Sequence, residues 1–210
     1  MIKKILLPLI IVVSVIMVAG CFGGSGAKID AKVDPKVLED KAGVQKIYDA
    51  ILKSMGGQAT KADEITINID NPADKGNTGD AYLVLMIDMQ NPNNPKQLLR
   101  QLFHGELGYW QPAQELTVDV RGSSEEKENF RLEDELFDFK SDMSAEKLHK
   151  IILDAYEKDN KEQGKYTYRY VDNVRISIQG IYVSVKGKLA ANDQMINNSY
   201  TYDLDGNFEN

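Results

Sequence analysis

Tyr166, Tyr168 and Tyr170 alternate along one segment, and Tyr200 and Tyr202 along another, so each set falls on one face of an extended strand. Tyrosine joins apolar area to a polar tip, which suits stacking on a sugar ring or packing against a partner protein. Seven of the ten tyrosines lie from Tyr156 onward. Tyr109 and Trp110, in the stretch Tyr109-Trp110-Gln111-Pro112 after Gly105, form a second candidate contact, and Trp110 is the single tryptophan. The competing reading is structural. Tyrosine has high strand propensity and fills half-buried positions, and Trp110 would plug the core from a loop.

Acid–base and metal chemistry have less to work with. His104 and His149 are the only two histidines, and neither sits in a metal motif such as H-E-x-x-H. His104, beside Gly105 and Glu106, reads as a cap at the end of a short helix. His149 flanks an apolar stripe and faces solvent. Glu125, Glu126, Glu128, Glu133, Asp134, Glu135, Asp138 and Asp142 crowd one stretch, without the spacing and glycine turn of a calcium loop. Asp203-Leu204-Asp205-Gly206-Asn207 comes closer but lacks the distal glutamate, and Asp205-Gly206 reads as a hairpin turn. These acids are read as a solvated face. No catalytic residue, metal ligand or cofactor site is assigned. Asp88 lies inside the most apolar segment; buried there it would need a partner, and otherwise it marks the strand end before Gln90-Asn91-Pro92.

Composition narrows the class further. The net charge is −7 and becomes more negative once Lys3 and Lys4 are discounted as part of a leader. An acidic chain of this kind is a poor match for nucleic acid, which wants clustered Lys and Arg. It is also repelled by an acidic membrane surface, so membrane attachment would need another agent. Cys21 is the single cysteine, which excludes an internal disulfide and a cysteine–zinc site.

That agent is written at the N-terminus. Lys3 and Lys4 precede an apolar run from Ile5 to Val18, followed by the small residues Ala19 and Gly20. This is the pattern of a secretory leader, and the run is short against the roughly 20 apolar residues of a membrane span. Val18-Ala19-Gly20-Cys21 resembles the lipobox of bacterial lipoproteins, a resemblance confined to residues 1-21. It implies cleavage between Gly20 and Cys21 and a diacylglycerol on the Cys21 thiol, with Val18 standing where the family most often has Leu. Two or three acyl chains would anchor the protein far more firmly than one. The location implied is a cell membrane or outer membrane, lipid-anchored on the extracytoplasmic side. An uncleaved helix, or an ordinary leader with an incidental cysteine, are the alternatives. Phe22 to Ala27 is Gly/Ser-rich and suits a flexible tether.

The elements that would position these residues follow from periodicity. Asp34-Pro35 suits a helix start, and Val44, Ile47, Tyr48, Ile51 and Met55 recur at helical spacing before Gly56-Gly57. Ile65, Ile67 and Ile69 alternate as a half-buried strand, and Ala81 to Met89 reads as a strand covered on both faces. Asn94-Pro95 suggests a short helix carrying Leu98, Leu99, Leu102 and Phe103. Leu116, Val118 and Val120 alternate again, and Asn129 onward is read as strand. Ser144 caps a second long helix with a Leu148, Ile151, Ile152, Ala155 stripe. Strands follow around the tyrosines, with turns at Asp172-Asn173, Gln179-Gly180 and Asn192-Asp193.

The expected fold class is therefore α+β: a mostly antiparallel sheet, two main helices and one short helix. The likeness of Val44–Ala50 to Leu148–Ala155 allows a tandem helix-plus-sheet duplication. The expected organisation is a leader at 1-20, a lipidated cysteine and tether at 21-33, and one domain at 34-210, with 34-140 and 141-210 as its two halves. The expected function is non-enzymatic: a membrane-anchored protein that binds an envelope protein or another ligand such as a glycan. A carboxylate-dependent hydrolase of envelope glycans and an accessory solute-binding lipoprotein are the alternatives. The hydrolase would need two carboxyl groups facing each other across a cleft.

Overall fold

The computed structural model describes residues 12–16, 28–56, 61–120, 123–159 and 164–209. The lipobox cysteine Cys21 and the rest of the tether to Ala27 lie outside the described residues. Among those described, one antiparallel sheet dominates. Its strands are β1 (Val12–Ile16), β2 (Lys32–Val33), β3 (Lys61–Asp70), β4 (Ala81–Asn91), β5 (Asn94–His104), β6 (Tyr109–Trp110), β7 (Gln114–Asp119), β8 (Phe137–Asp138), β9 (Tyr166–Ser177), β10 (Gly180–Leu189) and β11 (Met195–Tyr202). The order across the sheet is β1-β7-β5-β4-β3-β9-β10-β11, with β2 added to β4, β6 to β5 and β8 to β3. The helices are α1 (Lys41–Ser54), α2 (Ser124–Asn129), α3 (Phe139–Asp142) and α4 (Ala145–Asp159).

Alternation explains why one face carries the core. Ile65, Ile67 and Ile69 of β3, Leu83, Leu85 and Ile87 of β4, and Val174 and Ile176 of β9 are buried on the side where α1 and α4 pack. Between them lie Thr66 and Asn68, paired with Met86 and Val84 on one side and with Arg175 and Asn173 on the other, which gives the opposite face a polar centre. Helix α1 presents Val44, Ile47 and Ile51 to the core, and α4 presents Leu148, Ile151, Ile152 and Ala155. Each helix is tied to the segment leading into the other: the Tyr48 hydroxyl of α1 donates to the Met143 carbonyl at 2.7 Å, and His149 Nε2 of α4 lies 3.0 Å from the Glu39 carbonyl. His149 is thus half-buried rather than turned to solvent.

This architecture corrects the expected α+β class. The molecule is sheet-dominated, and the short helix expected at Asn94 is strand β5. Its apolar residues serve two faces: Leu99 and Phe103 enter the main core, and Leu98 enters a second small cluster with Leu116, Leu132 and Leu136. A doubly covered strand and a helix share the same short apolar run, and periodicity alone does not separate them. The hairpin turn sits one step earlier, at Pro92-Asn93, where the Asn91 side chain accepts from the Asn93 N–H at 2.9 Å. The first long helix is followed by the meander β3–β4–β5 and the second by β9–β10–β11, and of these two sets β2, β6, β7 and β8 pair with strands of the first alone. Because β3 pairs with β9, one sheet runs continuously across position 140.

Smaller corrections have local causes. Helix α1 starts at Lys41, not after Asp34, because Asp40 Oδ2 accepts the Gly43 N–H at 2.9 Å and caps the first turn. The strand expected from Asn129 is a short 3-10 turn over Leu132–Glu135, whose Leu132 plugs the second cluster. No turn occurs at Asp172-Asn173: β9 runs straight through, and Asp172 is the extra residue of a bulge between the Val171↔Val185 and Asn173↔Ser184 pairs. Ser144 does cap α4, its hydroxyl oxygen accepting the Lys147 N–H at 3.1 Å. Among the described residues no helix is long and apolar enough to cross a membrane.

Candidate functional site

A cleft of about 940 Å³ opens between α1 and the β4–β5–β6 corner of the sheet. Leu83 and Phe103 form its floor, with Trp110 beside them at the cross-strand position to Phe103, ring centroids 5.4 Å apart. One wall is the flank of α1, with Gly43, Lys46, Ile47, Ala50 and Lys53; the other is the segment from Lys28 to Val37. That segment is held to the sheet by the Leu83 N–H, which donates to the Ala31 carbonyl at 3.0 Å.

A tight hairpin forms one corner of the cleft. Strand β5 ends at His104, and Gly105 lets the chain press against β4: a Cβ there would stand 2.4 Å from the Leu83 carbonyl oxygen. Gly108, at φ +70°, completes the reversal into β6, with its N–H donating to the His104 carbonyl at 2.9 Å. The hairpin tip carries Leu107 and Tyr109, which are 50% and 55% exposed. His104 is therefore the last residue of a strand, not a helix cap, and its Nδ1 is buried without a hydrogen bond among the described residues.

The five strand tyrosines are placed elsewhere, and their hydroxyls are spent on carboxylates. Tyr170 donates to Asp74 Oδ2 at 2.5 Å and Tyr168 to Asp74 Oδ1 at 3.0 Å, while Lys186 Nζ lies 2.9 Å from the same carboxylate. Tyr166 and Tyr200 both donate to Asp159 Oδ1 at 3.2 Å, joined by the Asn198 amide at 2.6 Å. Tyr202 donates to Asp154 Oδ2 at 2.8 Å. Burial together with the facing carboxylates pushes the Tyr166, Tyr168 and Tyr200 hydroxyls up to about 12. Of the aromatic residues singled out from the sequence, Tyr109 and Trp110 thus line the cleft, and Tyr166, Tyr168, Tyr170, Tyr200 and Tyr202 tie the sheet to loop and helix ends. No local pattern ties these acids to the tyrosines: Asp154 and Asp159 belong to α4, and Asp74 to a 3-10 turn over Pro72–Lys75.

Asp88 has the partner that burial demands. Arg100, its cross-strand neighbour, grips it with two hydrogen bonds of 2.8 and 2.6 Å. Next to this pair, at the β3 bulge, burial raises the Asp63 carboxyl to about 6, with Asp88, Glu64 and Glu135 adding to the rise. On the helix side, burial raises Glu39 to about 7 against the pull of Lys36, Tyr156 and Arg169. Both acids hold protons more tightly folded than unfolded. Their contribution to stability is complete below about pH 4 and is lost as pH rises through about 6 for Asp63 and about 7 for Glu39. Stability should therefore fall between about pH 4 and about pH 7, by about 1–2 kcal/mol in all at these partly solvated sites. Urea titrations at the two pH values check this, and Asp63→Asn with Glu39→Gln should flatten the profile.

Among the described residues no group of three His, Asp, Glu or Cys side chains is placed to hold a metal ion. Comparison with family models, with curated proteins and with solved structures returns no match. The cleft and its neighbours are thus the basis for a functional reading.

Proposed function

We propose that the chain is a membrane-anchored, non-enzymatic bacterial lipoprotein that binds a ligand or an envelope protein in the cleft beside its tether. The observation that carries this reading is the position of the cleft. One of its walls, from Lys28 onward, is the segment that leads directly out of the Gly/Ser-rich tether behind Cys21, and Trp110 and Tyr109 stand opposite. A volume of about 940 Å³ falls within the range of small-molecule sites. Three of the four aspartates at the rim, Asp30 being the fourth, take part in local hydrogen bonds. Asp34 accepts the Lys36 N–H at 2.8 Å, Asp40 caps α1, and Asp49 accepts from the Gln45 amide at 2.9 Å.

Two measurements test the reading. Intact-mass spectrometry of the protein taken from its native membranes should find a chain that begins at Cys21 and carries acyl groups. Cys21→Ala should abolish acylation and release the protein from the membrane fraction. A native chain that still begins at Met1, or one without lipid, overturns the anchor. Affinity capture should recover a molecule whose yield drops with Trp110→Ala; turnover of a cell-wall glycan by the purified protein would overturn the non-enzymatic half.

A further inference from the structure

We propose that the outer edge of β7 receives a second copy of the mature chain, strand against antiparallel strand, an inference that rests on the leader reading above. On its inner side β7 pairs with β5 through Leu98↔Leu116, Leu99↔Glu115 and Arg100↔Gln114. Its outer side borders β1 (Val12–Ile16), in antiparallel register from Val12↔Asp119 to Ile16↔Glu115. Strand β1 lies within residues 1-20, the segment that cleavage before Cys21 removes. In the mature chain this edge is therefore open, and an open strand edge is a template for another strand.

The two ends of the sheet are not alike. At the far end the Thr201–Tyr202 stretch of β11 is capped by the C-terminal residues. Tyr202 bridges to Phe208, and the Glu209 N–H donates to the Thr201 carbonyl at 2.8 Å. Strand β7 keeps no such cover among the described residues once β1 is gone. It also lacks the lysine, proline or bulge that commonly guards an edge.

The pattern along β7 selects a second copy. Leu116 is buried, Val118 and Val120 are half-buried, and Thr117 and Asp119 are exposed. Leu116 belongs to the small cluster with Leu98, Leu132 and Leu136, against which Val118 and Phe130 are partly buried. Two copies related by a two-fold axis keep their faces matched in registers centred on a residue. Centred on Thr117, Glu115 meets Asp119 twice, like charge against like. Centred on Leu116, Val118 meets Gln114. Centred on Asp119, that residue meets itself. Centred on Val118, Val118 meets Val118, Leu116 meets Val120 and Thr117 meets Asp119. Of these four registers, the last alone continues the apolar row from copy to copy while setting none of these acids opposite another. It also joins the two small clusters into one.

Cysteine scanning reads the register. Cys21 is the single cysteine and is acylated in the mature protein, so an introduced cysteine supplies the one free thiol. In native membranes under mild oxidation, Val118→Cys should give disulfide-linked pairs of chains. In Thr117→Cys or Asp119→Cys the two thiols are offset by about 7 Å along the strands and should link about tenfold less. Co-expression of Thr117→Cys with Asp119→Cys should restore the link. In detergent the mature protein should sediment at twice the chain mass. Val118→Lys, which sets two ammonium groups on the axis, should sediment as one chain with its helical circular dichroism unchanged. A chain that begins at Cys21, yet neither links through Val118→Cys nor sediments as a pair, overturns the proposal and leaves the anchor standing. Equal linking at all three positions overturns it as well, as does linking of Val118→Cys to a different protein. A chain that begins at Met1 keeps β1 on the edge and overturns the anchor reading and this proposal together.

Discussion

Asp159→Ala is expected to lower the unfolding free energy by about 3–4 kcal/mol, the range for stripping one partner from a buried charged network. The Asp159 side chain is 1% exposed, and Arg169, whose NH1 lies 3.6 Å from Oδ2, is 10% exposed. Asp159 Oδ1 is the shared acceptor for Tyr166, Tyr200 and Asn198. Removing the carboxylate leaves the Tyr166 and Tyr200 hydroxyls without this acceptor and the Asn198 amide with the Tyr166 hydroxyl oxygen at 3.3 Å. It also leaves Arg169 with the Tyr156 carbonyl at 2.8 Å and the Tyr156 ring at 3.8 Å as its main remaining partners. Neither offsets a buried guanidinium charge. Asp159→Asn keeps the shape and one acceptor oxygen, so its cost should be about half. Urea unfolding of the three proteins measures this. A loss under about 1 kcal/mol for the alanine variant would mean that water takes the place of the carboxylate.

The same network shows what the sequence could and could not reveal. Alternation of Tyr166, Tyr168 and Tyr170 places them correctly on a strand, because a period of two is visible locally. Which carboxylate each hydroxyl meets is set by pairs 94 and 96 residues apart for Asp74, and no local pattern encodes that separation. The long helices, the β3 and β4 strands and the Gln179-Gly180 turn were legible for the same reason: each is a single period with its own cap or turn residue. Strand β5 was not, because its residues satisfy two cores at once, and the 130s were not, because Phe130, Leu132 and Leu136 follow the shape of a cavity rather than a period. At the candidate site, Tyr109 and Trp110 could be named from their types. The cleft itself could not, since its lining brings together residues 28–37, the flank of α1 and the β5–β6 hairpin, which are far apart in sequence.

Gly105→Ala tests that hairpin directly and should cost about 3 kcal/mol or more, in the range of substitutions that force backbone out of place. The added Cβ would meet the Leu83 carbonyl oxygen at 2.4 Å and the Leu83 nitrogen at 2.9 Å. Both are backbone atoms of a central strand, so relief has to come from the hairpin. That hairpin holds Trp110 against Phe103 through the Gln111 N–H, which donates to the Leu102 carbonyl at 2.7 Å. The variant should therefore lose stability and shift Trp110 emission to the red together. Gly108→Ala is the matched control on the same hairpin. Its Cβ would meet only Ala31, at 3.9 Å, so the cost is the left-handed backbone alone, at φ +70°. That amounts to about 1 kcal/mol with little change at Trp110. If the two variants were equally stable, close contact between hairpin and β4 would not be what sets the cleft floor. If Gly105→Ala lost stability while Trp110 emission stayed put, the floor would be held by the Phe103–Trp110 contact rather than by the turn.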